Sequence, residues 1–131
     1  MINVYFKAIG WTHPERIAAG AKPWCGAFVG WVLKTCQVPT PKGMNLAAVA
    51  SYNALKKQRV TGQTLLPADI VTYRTWSHVE FVQHWPLDPR IRIFYATGGN
   101  TTAGNSIQGV YVNIPRPKAY VRNAIRMIPE S

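Results

Sequence analysis

The chain has 131 residues, enough for one domain with a real core and too few for two. Its hydrophobic fraction of 47% excludes a disordered chain, and no apolar run approaches the ~20 residues of a membrane-spanning helix. Fifteen Lys and Arg against five Asp and Glu give a net charge of +10, which favours polyanionic partners: nucleic acid, anionic lipid surfaces or anionic cell-wall polymers. Such a charge also serves plain solubility, and the basic residues are scattered. Lys56-Lys57-Gln58-Arg59 and Arg116-Pro117-Lys118 are the densest runs, and neither is a polybasic tail.

In chain order, residues 3–9 are apolar enough for a short helix stopped by Gly10, with none of the features of a signal peptide. His13-Pro14-Glu15-Arg16 reads as a turn into a short helical piece that ends at Gly20. Residues 25–36 read as a central helix: Phe28, Val29, Val32 and Cys36 share a face with Cys25, and the opposite side is apolar too. Pro39-Thr40-Pro41-Lys42-Gly43 breaks the chain, and Asn45 is placed to cap a second helix over residues 46–57. The pattern then changes to short β-branched and aromatic runs at 69–75, 78–85, 91–97 and 107–114, which read as strands. Trp85-Pro86-Leu87-Asp88-Pro89-Arg90 is turn-rich, and the tail at 119–128 suits helix and strand equally. Helices first and consecutive strands after predict a single α+β domain over 1–131, with N-terminal helices packed on an antiparallel sheet.

The chemistry rests on a cysteine and a histidine. Cys25 and Cys36 lie eleven residues apart on the predicted helix, roughly 16 Å at ~1.5 Å per residue, too far for a disulfide. The shared face predicts Cys36 as a small buried hydrophobe, which leaves Cys25 for chemistry. A helix N-terminus stabilises a thiolate, and the small residues Gly26 and Ala27 are expected to leave the thiol uncrowded. A buried, inert cysteine is the ordinary alternative. His78 is the best placed base, since His13 sits in a turn before a proline and His84 at a strand end beside Trp85. Alternation puts His78, Glu80 and Val82 on one strand face and Val79 and Phe81 on the other. Asn100, at the end of the next strand, could fix the histidine tautomer, or be a turn residue of Gly98-Gly99-Asn100-Thr101-Thr102. No metal site is expected: there is no CxxC, no HxxxH and no acidic cluster, and no cofactor is called for.

These segments resemble the CHAP family, the cysteine- and histidine-dependent amidohydrolases and peptidases that cut bacterial peptidoglycan. Pro23-Trp24-Cys25-Gly26-Ala27-Phe28-Val29 looks like the family's nucleophile motif. Ala50-Ser51-Tyr52, Pro67-Ala68-Asp69-Ile70-Val71, Ser77-His78-Val79 and Gly98-Gly99-Asn100 follow in the family's order, from about residue 9 to residue 116. The resemblance implies a papain-like fold, with Cys25 as nucleophile, His78 as base and Asn100 in the orienting position; Trp24, next to Cys25, is a candidate substrate-binding or auxiliary residue. It departs in two places. Many members carry a glutamate two residues before the asparagine, where this chain has Gly98, and position 80, usually small, is Glu80. Glu80 would raise the basicity of His78 or bind a cationic substrate group.

The reading is a peptidoglycan hydrolase, an amidase or endopeptidase working through a cysteine nucleophile, as a phage endolysin or virion-associated lysin. Its partners would be peptidoglycan and anionic envelope polymers, and it would act as a monomer or as part of a virion. Made in the cytoplasm without a signal peptide, it would reach the wall or periplasm by holin-type release, virion delivery or effector secretion. The alternative is a non-enzymatic cationic module that binds cell wall or nucleic acid, with aromatics such as Trp11 and Trp76 as stacking platforms. Nucleic acid is disfavoured, because no basic run is interleaved with aromatics along one element.

Overall fold

The structure, a computed structural model, describes residues 24–60, 64–99 and 110–127. The described chain is α+β: two helices, then a five-stranded sheet with every pairing antiparallel. Helix α1 spans Trp24–Thr35 and helix α2 spans Val49–Asn53. The strands are β1 (Ile70–Tyr73), β2 (Val79–His84), β3 (Ile93–Gly99), β4 (Val110–Pro117) and β5 (Val121–Ile125), in the order β4-β3-β2-β1-β5. The tail is thus strand where it is described, entered through a 3₁₀ turn at Lys118–Tyr120, and it pairs with β1.

Helix α1 ends as its chemistry dictates. Gln37 takes a left-handed φ of 57°, the Val38 N–H reaches back to the Leu33 carbonyl (2.8 Å) and the Gln37 N–H to that of Lys34 (3.1 Å). That pair of bonds closes the last turn. It also corrects the expectation for Cys36. This residue is the C-cap, and Lys34, Thr35, Cys36 and Gln37 are all exposed, so the last turn projects beyond the core whatever its face. Helix α2 is much shorter than residues 46–57. Asn45 does not cap it: its Oδ1 accepts the Ala47 N–H (3.1 Å) in a local turn, and the helix starts after Ala48.

Two apolar layers sandwich the central strands. On the α1 side, Cys25, Phe28, Val29, Leu33, Tyr52, Ile70, Val79 and Phe81 form one cluster. On the other side, Val71, Tyr73, Val82, Phe94, Ala96 and Ala124 form the second, with Leu65 over them. Each fully buried large side chain contributes about 1.5–3 kcal/mol. The alternation in β2 is as the sequence predicts: Val79 and Phe81 face α1, and Val82 faces away. Asp69, in the Pro67-Ala68-Asp69 segment, serves this frame. It holds Arg126 through two bonds of 2.8 Å and accepts the Leu66 N–H (2.8 Å), which ties the start of β1 to the end of β5. No described helix is long and apolar enough to cross a membrane.

Candidate active site

Cys25 is the second residue of α1, so its N–H has no carbonyl partner within the helix. The next residue explains why the helix can sit there. A Cβ on Gly26 would lie 2.5 Å from the Ala47 carbonyl oxygen and 2.9 Å from that of Leu46. Gly26 therefore lets α1 press against the 46–47 backbone. Tyr52 of α2 locks the contact by donating to the carbonyls of Leu46 (2.7 Å) and Gly26 (3.1 Å). Burial, and next the neighbouring Cys25, push the Tyr52 phenol far above its ordinary range, so it stays a donor.

His78 is the residue before β2, and from there it joins both sides of the sheet. Against the lowering effect of burial, Cys25 of the α1 layer is among the groups that raise the pKa of its imidazole. Its Nε2 meets Glu80 Oε2 at 2.8 Å, and the Glu80 carboxylate is fully buried on the opposite layer, across from Val71. With Nε2 committed to Glu80, Nδ1 is the nitrogen left for the thiol.

Glu80 is itself held on every side. Tyr73 donates to Oε1 (2.5 Å), and Arg116 forms a two-pronged pair, Nε to Oε1 (3.0 Å) and Nη2 to Oε2 (2.8 Å). Arg116 stands on β4, opposite Phe94, and reaches over β3 to β2. The room for the carboxylate comes from Gly98, where a Cβ would fall 2.6 Å from Glu80 Cγ and 2.7 Å from Oε2. A side chain at position 98 and a glutamate at position 80 therefore exclude one another. Trp76 closes the assembly, stacked on Tyr73 with ring centroids 4.4 Å apart and on His78 at 6.0 Å, while the Arg116 guanidinium lies over both aromatic rings.

The electrostatics follow from this cage. Burial alone would lower the His78 pKa, but hydrogen bonds to Cys25 and Glu80 and their charges outweigh it and raise it to about 9. Burial alone would raise the Glu80 carboxyl, yet the hydrogen bonds and charges of His78 and Arg116 bring it down to about 2. Glu80 is thus a carboxylate, and His78 favours the imidazolium through neutral pH.

Of the residues singled out from the sequence, Cys25, His78 and Glu80 come together. Asn100 lies outside the described residues, and the group on Nε2 is Glu80. The Trp24 side chain, Trp11 and His13 also lie outside them. His84 is exposed at the far end of β2, stacked on Tyr95. Trp76 is packed in the aromatic stack rather than presented as an open platform. Sequence reasoning missed Arg116 and Tyr73. Arg116 appeared only as part of a basic run, and its contact with Glu80 spans 36 residues. No group of three or more His, Cys, Asp or Glu able to hold a metal occurs among the described residues. Comparison with protein-family models, curated proteins and solved structures gives no match.

Proposed function

We propose that this chain is a cysteine amidohydrolase or peptidase of papain-like architecture that cleaves an amide bond of the peptidoglycan peptide. The observation that supports it is the continuous line Cys25–His78–Glu80–Arg116, in which a helix-start thiol meets an imidazole whose other nitrogen is held by a caged carboxylate. A structural cysteine needs none of these partners.

In this reading the Cys25 proton already sits on His78 Nδ1 when Sγ attacks the amide carbonyl carbon, and the Cys25 N–H helps hold the oxyanion. The imidazolium then gives that proton to the amine nitrogen as the C–N bond breaks, leaving a thioester. Water attacks the thioester with His78 as base, and the acid and free thiol are released. Glu80 fixes the ring and stabilises its charged form, a positioning role. Its place on β2, over Gly98 of β3, supplies the carboxylate from the strand beside the one that carries it in many members of the resembled family. The net charge of +10 draws the protein to an anionic wall.

The test is digestion of purified peptidoglycan by the protein and by Cys25→Ala, with mass analysis of the fragments. New amine and carboxyl termini from the protein alone support the proposal. Equal products from both, or none from either, refute it, and retained wall binding would then favour the non-enzymatic cationic module.

A further inference from the structure

A second feature flanks the pair and is not used by it. Helix α2 and the turn between β1 and β2 enclose a cavity of about 330 Å³, lined in part by Asn53, Arg74, Thr75, Trp76, Ser77 and Arg122. Both walls lead to the reacting groups. The α2 wall carries Tyr52, hydrogen-bonded to the Gly26 carbonyl next to Cys25, and the turn runs directly into His78. The volume is at the lower end of the ~300–1,000 Å³ of small-ligand sites.

Its chemistry is one-sided. Two guanidinium groups line it, and none of its described lining residues is acidic. Arg74 is pinned, its Nε donating to the Val121 carbonyl at 3.0 Å. Asn53 is oriented as well: its Oδ1 accepts from Thr72 Oγ1 (2.5 Å) and Asn123 Nδ2 (2.9 Å), which turns its own amide N–H₂ away from those donors. The Tyr73 hydroxyl is spent on Glu80, whose charge Arg116 already offsets, so that carboxylate does not oppose an anion here. Guanidinium, amide and the hydroxyls of Thr75 and Ser77 are donor groups suited to a carboxylate.

We infer that this cavity is the subsite for a carboxylate-bearing residue of the substrate peptide, next to the bond that Cys25 attacks. The inference rests on the hydrolase reading for its substrate, but its test does not depend on turnover. Two probes are titrated into the Cys25→Ala protein: a short alanyl-glutamyl peptide with free carboxylates, and the same peptide with every carboxyl amidated. The acid form should bind about ten-fold tighter or more, as charge-assisted hydrogen bonds require. Arg122→Gln and Arg74→Gln should each remove most of that preference and leave the amide's affinity unchanged, whereas Lys34→Gln, at the exposed last turn of α1, should change neither. Arg122 is exposed, so its variant keeps the test valid if Arg74→Gln misfolds. Equal affinity for acid and amide, including equal failure to bind at millimolar concentration, overturns the subsite, as does a preference that survives in Arg122→Gln. Peptidoglycan cleavage by the unmodified protein is read separately. Cleavage without acid preference removes the subsite alone, and acid preference without cleavage removes the hydrolase reading alone.

Discussion

Replacing Glu80 by Gln tests the site at its most loaded point. Both carboxylate oxygens receive two donors: Tyr73 and Arg116 Nε at Oε1, His78 Nε2 and Arg116 Nη2 at Oε2. A glutamine must therefore turn an N–H toward Arg116 whichever way it sits. The cheaper orientation puts the amide nitrogen at the Oε1 position, where the Tyr73 hydroxyl can turn and accept. The oxygen that remains still accepts from His78, so the tautomer survives and only the charge is lost. His78 stands at about 9 against an ordinary 6.5, a difference of roughly 3 kcal/mol at ~1.36 kcal/mol per pH unit. Cys25 and Glu80 share that effect, so loss of the Glu80 charge should lower turnover by about ten-fold or more. Loss of the Glu80 charge beside Arg116, which is 18% exposed, should cost a further ~1–3 kcal/mol of stability, less than for a fully buried pair. The assay is dye release from labelled peptidoglycan against pH, with thermal melts of both proteins. Losing a carboxylate beside an imidazolium lowers the ring's pKa, so the basic limb of the profile should move from about 9 toward neutrality. A Glu80→Gln protein with normal rate and an unmoved basic limb, beside a crippled Asn100→Ala, would refute the assignment and give the orienting role to Asn100.

Gly98→Ala puts a methyl 2.6 Å from Glu80 Cγ, so activity should fall at least as far as in Glu80→Gln, and the reciprocal exchange, Glu80→Gly with Gly98→Glu, should recover part of it in the same dye-release assay. Stability should depend on pH in both directions, read from melting temperature across the range. The His78 pKa is raised on folding, so its contribution is complete below about 6.5 and is lost as pH rises through about 9. The Glu80 pKa is depressed, so its contribution is present above about 4.5 and is lost as pH falls through about 2. A bulky maleimide should label exposed Cys36 and spare Cys25, which is 3% exposed, and peptide maps showing Cys25 labelled first would contradict its burial.

The sequence by itself determined what local chemistry and periodicity control. The apolar run after Cys25 makes a helix wherever it is placed, and β2 must turn Val79 and Phe81 to one layer and Val82 to the other. Turn-rich breaks fixed the order of helices and strands, and the best base could be chosen because His78 alone sat at the start of a buried strand. Tertiary structure decided the rest. The 119–128 segment had no local preference, and β5 became a strand because the edge of β1 was there to pair with. Cys36 looked buried on a helical wheel, but burial needs something on the other side, and residues 34–37 at the end of α1 are exposed. Gly26 and Gly98 read as small turn-like residues, while their function is to admit a backbone and a carboxylate from distant segments. The orienting group at the histidine was undecidable for the same reason. Whether Glu80 reaches Nε2 depends on Arg116 arriving from β4, two strands away, and strand order and register bring it there without any mark in the residues themselves.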